Sequence, residues 1–249
     1  MIPKIIHQTW ISQDSIPKAY KECVDSIKAK NADYEYRFYD DNDCVVFIEN
    51  KFPEFLNVYK FLTPVEKADL FRYLIVYEYG GIYLDIDCYC VENFDSLIKN
   101  TEFVVGCESG FQVNSVFKIT QWAFASKAKH PILIEVAKQC EKNHLRNSTM
   151  FTLKKTGPLM WTNVINKLKD TYKIRLGGES WFASRIKGVN CNKVIPKWNA
   201  RRNVNQDKEI KDKIYIIHLS YSSWNTRKKK SHEQAMSIHG IKSFMNDKN

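Results

Sequence analysis

Between Thr63 and Asp87 the sequence passes through a helix, a glycine stop, a short apolar strand and a pair of aspartates with no linker between them. Thr63 can cap, Pro64 fits a first helical turn, and Glu66 stands three residues after the cap, the spacing of a capping box. Ala68, Phe71, Leu74, Ile75 and Tyr79 recur at helical spacing before Gly80-Gly81 ends the run. Ile82-Tyr83-Leu84 is then a short buried strand that delivers Asp85-Ile86-Asp87 at its tip. A helix feeding a buried strand with carboxylates at its end predicts an α/β architecture with its chemistry beyond the sheet.

The carboxylates suggest what that chemistry needs. In an extended strand residues i and i+2 face one side, so Asp85 and Asp87 are expected to point together. Like charges that close call for a cation, and oxygen ligands suit Mg²⁺ or Mn²⁺. The plainer alternative is two surface aspartates in a turn. Asp69 and Arg72 are three apart and share a helix face. They form either a surface ion pair or part of the same cleft, with Asp69 binding hydroxyls and Arg72 a sugar or phosphate. Their apolar neighbours Leu70, Phe71 and Leu74 imply a mostly buried helix, which favours the cleft. His218 closes the apolar run 214–217 and is either a core-edge histidine or a third metal ligand. Trp10 is either core or a flat face for a nucleobase.

The rest of the chain frames this centre. At 249 residues it has room for one large α/β domain or two small ones. Its 44% apolar and 27% charged content is that of a soluble globular chain. There is no apolar run of bilayer length, and Met1–Trp10 lacks the pattern of a signal peptide. Seven scattered cysteines predict reduced thiols rather than a disulfide scaffold, and Cys88-x-Cys90 does not have zinc spacing. These features lead to an expected cytoplasmic location. The formal net charge of +10 favours anionic partners. It leaves open a basic nucleic-acid-binding protein, which no helix-turn-helix, finger or RNA-binding signature supports. Strands are expected at 2–6, with a polar tip at 7–10, and at 34–39, 102–107, 116–120 and 214–217. Helices are expected at 17–30, from 40 onward, and at 121–127, 131–142 and 158–169.

Several of these segments carry a resemblance. Ile2 through Trp10 resembles the opening strand of the DXD-containing sugar-binding glycosyltransferases of family 32. Ala68-Asp69-Leu70-Phe71-Arg72-Tyr73, continuing through Tyr79-Gly80-Gly81-Ile82-Tyr83-Leu84-Asp85-Ile86-Asp87, is similar to that family's central signature. Ala125-Ser126, His130-Pro131, Thr156-Gly157-Pro158, and His218 with Ser223-Trp224 extend the similarity to about residue 225. The family's Pro-Gly-His-Pro turn is replaced here by Lys127-Ala128-Lys129-His130-Pro131, and Gln121-Trp122 fits no acceptor pattern.

The resemblance implies a GT-A fold, a mixed central sheet flanked by helices with a helical acceptor-side portion, over residues 1–225, followed by a basic tail at 226–249. It implies a retaining, metal-dependent hexosyltransferase that uses a nucleotide-sugar donor, with a UDP-sugar favoured by the Trp10 analogy and GDP-mannose the alternative. Asp87, Asp85 and His218 would hold Mn²⁺ or Mg²⁺. Asp69, Arg72 and Tyr73 would hold the donor sugar and ribose. Trp10 would stack the base beside Thr9, and Ser222, Ser223 and Trp224 would close over the diphosphate. The acceptor would be a glycan or lipid-linked sugar in surface polysaccharide (capsule) synthesis, with a host protein as the variant reading. The basic tail would lie against anionic membrane at its cytoplasmic face, or form a plain solvated face.

Overall fold

The computed structural model describes residues 1–113, 116–177, 182–183 and 214–219. A six-stranded sheet organises them in the order β2-β1-β3-β6-β5-β7. Its strands are β1 (Ile5–Thr9), β2 (Glu35–Tyr39), β3 (Gly81–Leu84), β5 (Phe103–Val113), β6 (Val116–Ser126) and β7 (Arg175–Gly177). β2, β1 and β3 run parallel, β6 is antiparallel to both β3 and β5, and β7 is parallel to β5. A three-stranded sheet of β4 (Cys88–Cys90), β9 (Ile216–His218) and β8 (Phe182–Ala183) sits beyond the tip of β3.

Helices α1 (Lys18–Lys30) and α2 (Asp41–Lys51) follow β1 and β2 respectively. The Asp40–Asp43 capping box starts α2. Next come α3 (Pro53–Phe61), α4 (Pro64–Tyr79), the short α5 (Asp95–Ile98), α6 (Pro131–Arg146), the short α7 (Thr152–Lys155) and α8 (Pro158–Leu168). The larger core lies between the sheet and α2, α3, α4, α6 and α8, around Phe71, Tyr73, Phe124 and Trp161. A second core beneath the other face joins Ile6, Ile82, Leu84 and Val104 to Phe94, Leu97 and Tyr215. No helix among the described residues is long and apolar enough to cross a membrane. The six described cysteines are buried and unbridged.

Two expectations need correction, and one helix is additional. Residues 121–126 are strand, not helix: Leu84, Tyr83, Ile82 and Gly81 pair with Ala123 to Ser126. Positions 119–126 are all buried, so no alternation marks the strand, and a short apolar run does not distinguish it from a helix. The first strand is shifted from 2–6 to Ile5–Thr9, which makes His7 and Gln8 fully buried members of the sheet rather than part of a polar tip that follows it. Helix α3, which Pro53 opens, was not foreseen.

Candidate active site

The parallel strands β1 and β3 end side by side, so Thr9 and Trp10 reach the same sheet edge as Asp85. All four residues of β3 are buried, and the chain leaves the sheet after Leu84. There it does not continue extended. The amide of Cys88 donates to the carbonyl of Asp85 at 3.1 Å, closing a tight turn. The same-face argument for Asp85 and Asp87 therefore fails on geometry, and the two carboxylates have different partners.

Asp85 faces α4. Its Oδ1 lies 3.2 Å from Arg72 Nη2 and accepts the Tyr83 hydroxyl at 3.1 Å. Arg72 Nη2 is also 3.4 Å from Asp69 Oδ1, so one guanidinium bridges both carboxylates while stacking over the Tyr83 ring at 4.8 Å. Burial opposes the charge on Arg72, but Asp85, Tyr83 and Asp69 outweigh it and raise its pKa. Asp69 is buried, which pushes its carboxyl up to about 6 against the pull of Arg72 and Thr156. Burial likewise raises Asp85, countered by Arg72.

Asp69 is held through both of its carboxylate oxygens. Gln121 Nε2 donates to Oδ1 at 2.9 Å and the Thr156 hydroxyl donates to Oδ2 at 2.8 Å. Gln121 also bonds the Tyr73 hydroxyl, and the Tyr73 hydroxyl donates to the Thr156 carbonyl at 2.9 Å. Tyr73 is fully enclosed and stacks on Trp161 with centroids 5.2 Å apart. It frames Asp69 from the core rather than lining the open side.

Asp87 faces the small sheet. Pairing of β4 with β9 sets His218 opposite Cys88 and brings His218 Nε2 to 3.0 Å from Asp87 Oδ1. The amide of Leu219 donates to the Asp87 carbonyl at 3.0 Å, which fixes the register. Trp122 lies flat on the His218 ring, with centroids 4.5 Å apart and planes at 13°. Among the described residues, Asp87, Cys88 and His218 form a group whose ligand atoms all lie within 4.8 Å of one another. Burial pushes the Cys88 thiol well above its ordinary range, so it stays a neutral, soft group. The carboxylate and imidazole, with the Asp85 carboxylate a turn away, suit a hard or borderline divalent cation.

Trp10 is half-buried, edge-on to Tyr20 at 5.4 Å, and its indole N–H donates to the Ser15 carbonyl at 3.3 Å. The Thr9 hydroxyl donates to the Tyr39 carbonyl at 2.8 Å. Ser222, Ser223, Trp224 and the tail 226–249 lie outside the described residues.

Four residues beyond the expected set shape this site. Gln8 Nε2 donates to the Asp85 carbonyl at 3.0 Å, and Gln8 in turn accepts the Tyr36 hydroxyl at 2.9 Å. Gln121 and Thr156 hold Asp69, and Trp122 supports both His218 and, through its carbonyl, the amide of Asp85 at 2.8 Å. A signal existed for Gln121, a polar side chain beside the apolar Trp122-Ala123-Phe124-Ala125, because a buried amide requires a partner; Gln8, flanked by His7 and Thr9, carried no such contrast.

Comparison with known proteins agrees with this geometry. Residues 17–104 match the family described as the glycosyltransferase sugar-binding region containing the DXD motif. The chain is 32% identical over 177 residues to the mannosyl phosphorylinositol ceramide synthase CSH1 of Saccharomyces cerevisiae, covering 68% of this chain and 44% of that protein. It is 31% identical over 230 residues to inositol phosphoceramide mannosyltransferase 2 of Schizosaccharomyces pombe, covering 90% of this chain and 59% of that one. The chain thus spans about half the length of these relatives. The solved PaToxG glycosyltransferase superposes with a TM-score of 0.53 at 20% identity, over 67% of this chain and 69% of that one, a likeness of fold. With its aspartate pair at the tip of β3 and the GT-A arrangement around it, this chain carries, over residues 17–104, the glycosyltransferase sugar-binding region containing the DXD motif.

Proposed function

We propose that this chain transfers a hexosyl group from a nucleotide sugar to a hydroxyl of a lipid-linked or glycan acceptor, with a divalent cation at Asp87 and His218. The observation that carries the reading is the meeting of two charge systems at one sheet edge. The Asp87–His218 pair at 3.0 Å stands across a single turn from the Asp69–Arg72–Asp85 bridge. A bound Mn²⁺ or Mg²⁺ would supply positive charge to the departing diphosphate. Asp87 and His218 orient that charge. Arg72, kept cationic by its two carboxylates, holds Asp69 and Asp85 in place at the same edge. Asp69 and Asp85 accept donor hydroxyls, and Trp10 with Thr9 receives the base at the end of β1. The family resemblance supports retention of configuration.

The relatives are named for mannosyl transfer to inositol phosphoceramide, which supports a mannosyl donor, and with it GDP-mannose over a UDP-sugar, and a lipid acceptor. A panel of nucleotide sugars with Mn²⁺, scored for donor hydrolysis without acceptor, identifies the donor. Asp87→Ala is expected to abolish metal-stimulated turnover while the protein stays folded. Near-normal Mn²⁺-stimulated turnover in that variant would overturn the metal assignment.

A further inference from the structure

The helical corner where α3 turns into α4 and α6 into α7 carries exposed apolar side chains that the core does not use. Phe61 is 79% exposed, Leu145 72% and Phe151 62%. One polar network, buried at Glu66 and Lys155, links the segments that carry these three. Glu66 accepts from the Thr63 amide at 3.2 Å and from the Thr152 hydroxyl at 2.9 Å, and pairs with Lys155 at 2.9 Å. Asn143 donates to the carbonyls of Lys154 and Lys155 at 3.1 and 3.0 Å. Each of the three apolar residues is within two positions of a member of this network, and α6 packs against both α3 and α7. The same two turns carry Lys60, Lys142, Arg146 and Lys154 against one partly exposed acid, Glu141, since Glu66 is buried and already paired. Large apolar tips ringed by lysine and arginine are the composition of a surface that enters the headgroup layer of an anionic membrane.

Its place in the fold gives the corner a use. Lys155 pairs with Glu66, and the next residue, Thr156, bonds Asp69, one turn further along α4. We propose that this corner, built on Phe61, Leu145 and Phe151 with their basic neighbours, docks the protein on an anionic lipid bilayer and so presents a membrane-borne acceptor beside Asp69. The docking rests on the proposed transfer only for its purpose, and the two are tested separately. The occupant follows from charge complementarity: a basic ring excludes a second copy of the same corner and attracts acidic headgroups.

Sedimentation with phosphatidylcholine vesicles, with and without phosphatidylserine, tests the proposal on the full chain. The wild type is expected to bind the anionic vesicles and release with salt. Phe61→Ser/Leu145→Ser/Phe151→Ser is expected to lower partitioning by about tenfold or more, because the apolar insertion is lost. Lys142→Glu/Arg146→Glu, at exposed positions that leave the fold intact, is expected to weaken binding on anionic vesicles alone. Thermal unfolding and donor hydrolysis are expected to be unchanged in both variants. Wild-type failure to bind overturns the proposal, and undiminished binding by either variant overturns it by moving the membrane contact elsewhere on the chain. Concentration-dependent self-association that these substitutions abolish, without vesicle binding, would make the corner a protein interface and equally overturns it. A donor panel with no turnover would sink the transfer reading and leave the vesicle result standing.

Discussion

Asp69 shows how much one carboxylate depends on its neighbours. It is buried, yet three groups approach its two oxygens: Gln121, Thr156 and Arg72. Removing the Thr156 hydroxyl by Thr156→Val leaves Oδ2 without that donor, at a cost of about 1–3 kcal/mol. Because the hydroxyl favours the ionised form, the carboxyl is then expected to titrate above its present value of about 6. The acid limb of the rate profile should move to higher pH in Thr156→Val and return in Thr156→Ser. An unmoved limb in the valine variant would remove Asp69 from the ionisations that govern turnover. Trp10 is tested by calorimetry with the nucleotide and Mn²⁺. Trp10→Ala is expected to weaken binding by about 1–3 kcal/mol if the ring stacks the base. Unchanged affinity with lost stability would mean that the edge contact with Tyr20 is its whole role.

At the scale of elements, the junction between α4 and β3 sets the direction of the aspartate turn. Gly81 has φ +102°, and a Cβ there would stand 2.5 Å from the Ile5 carbonyl and 3.2 Å from His7 Nε2. Gly81→Ala therefore forces β1 and β3 apart at the strand that aims Asp85. We expect a loss of several kcal/mol in a denaturant titration, on the order of 2–4 from strain and disrupted pairing. A fully stable alanine variant would show that the junction can relax without moving the site. This junction was legible in the sequence, because Gly80-Gly81 after a capped, periodic helix has few other meanings. The carboxylates, Arg72 and His218 were legible too, as residue types at a strand tip or on one helix face. The geometry that joins them was not. Nothing local in Asp85-Ile86-Asp87 distinguishes a turn from an extended tip, since the turn is imposed by β4 pairing with β9, more than a hundred residues later. For the same reason Gln121 seemed unassignable: its partners come from α4 and from Thr156, which only the packed fold brings together.

Across the whole molecule, the buried histidines tie the fold to pH. His7 lies beneath the β1–β3 junction, with Nε2 2.8 Å from the Gly80 carbonyl and Nδ1 3.1 Å from the Tyr39 hydroxyl. The carbonyl can only accept, so Nε2 carries the proton and Nδ1 accepts from Tyr39. His130 caps α6, its Nδ1 accepting from the Ile132 amide at 3.3 Å. Burial lowers both histidines to about 4, below the unfolded value near 6.5. Each is therefore neutral in the folded chain while the unfolded chain takes up a proton. Their contribution to stability is complete above pH ~6.5 and is lost as pH falls toward ~4. Asp69 acts in the opposite sense: its raised carboxyl contributes stability below the unfolded value near 3.9, lost as pH rises through about 6. Between these limits the two histidines release the native state with a combined slope that Asp69 partly offsets. In a denaturation series from pH 7 to pH 5, His7→Gln is expected to be less stable at pH 7 but to have a shallower pH slope, by up to one proton or ~1.4 kcal/mol per pH unit. Asp69→Asn is expected to steepen it. The slope, unlike the baseline, is insensitive to a lost packing contact. A His7→Gln slope equal to the wild type would mean that His7 is protonated to the same extent in both states, and that burial at the β1–β3 junction does not lower its titration.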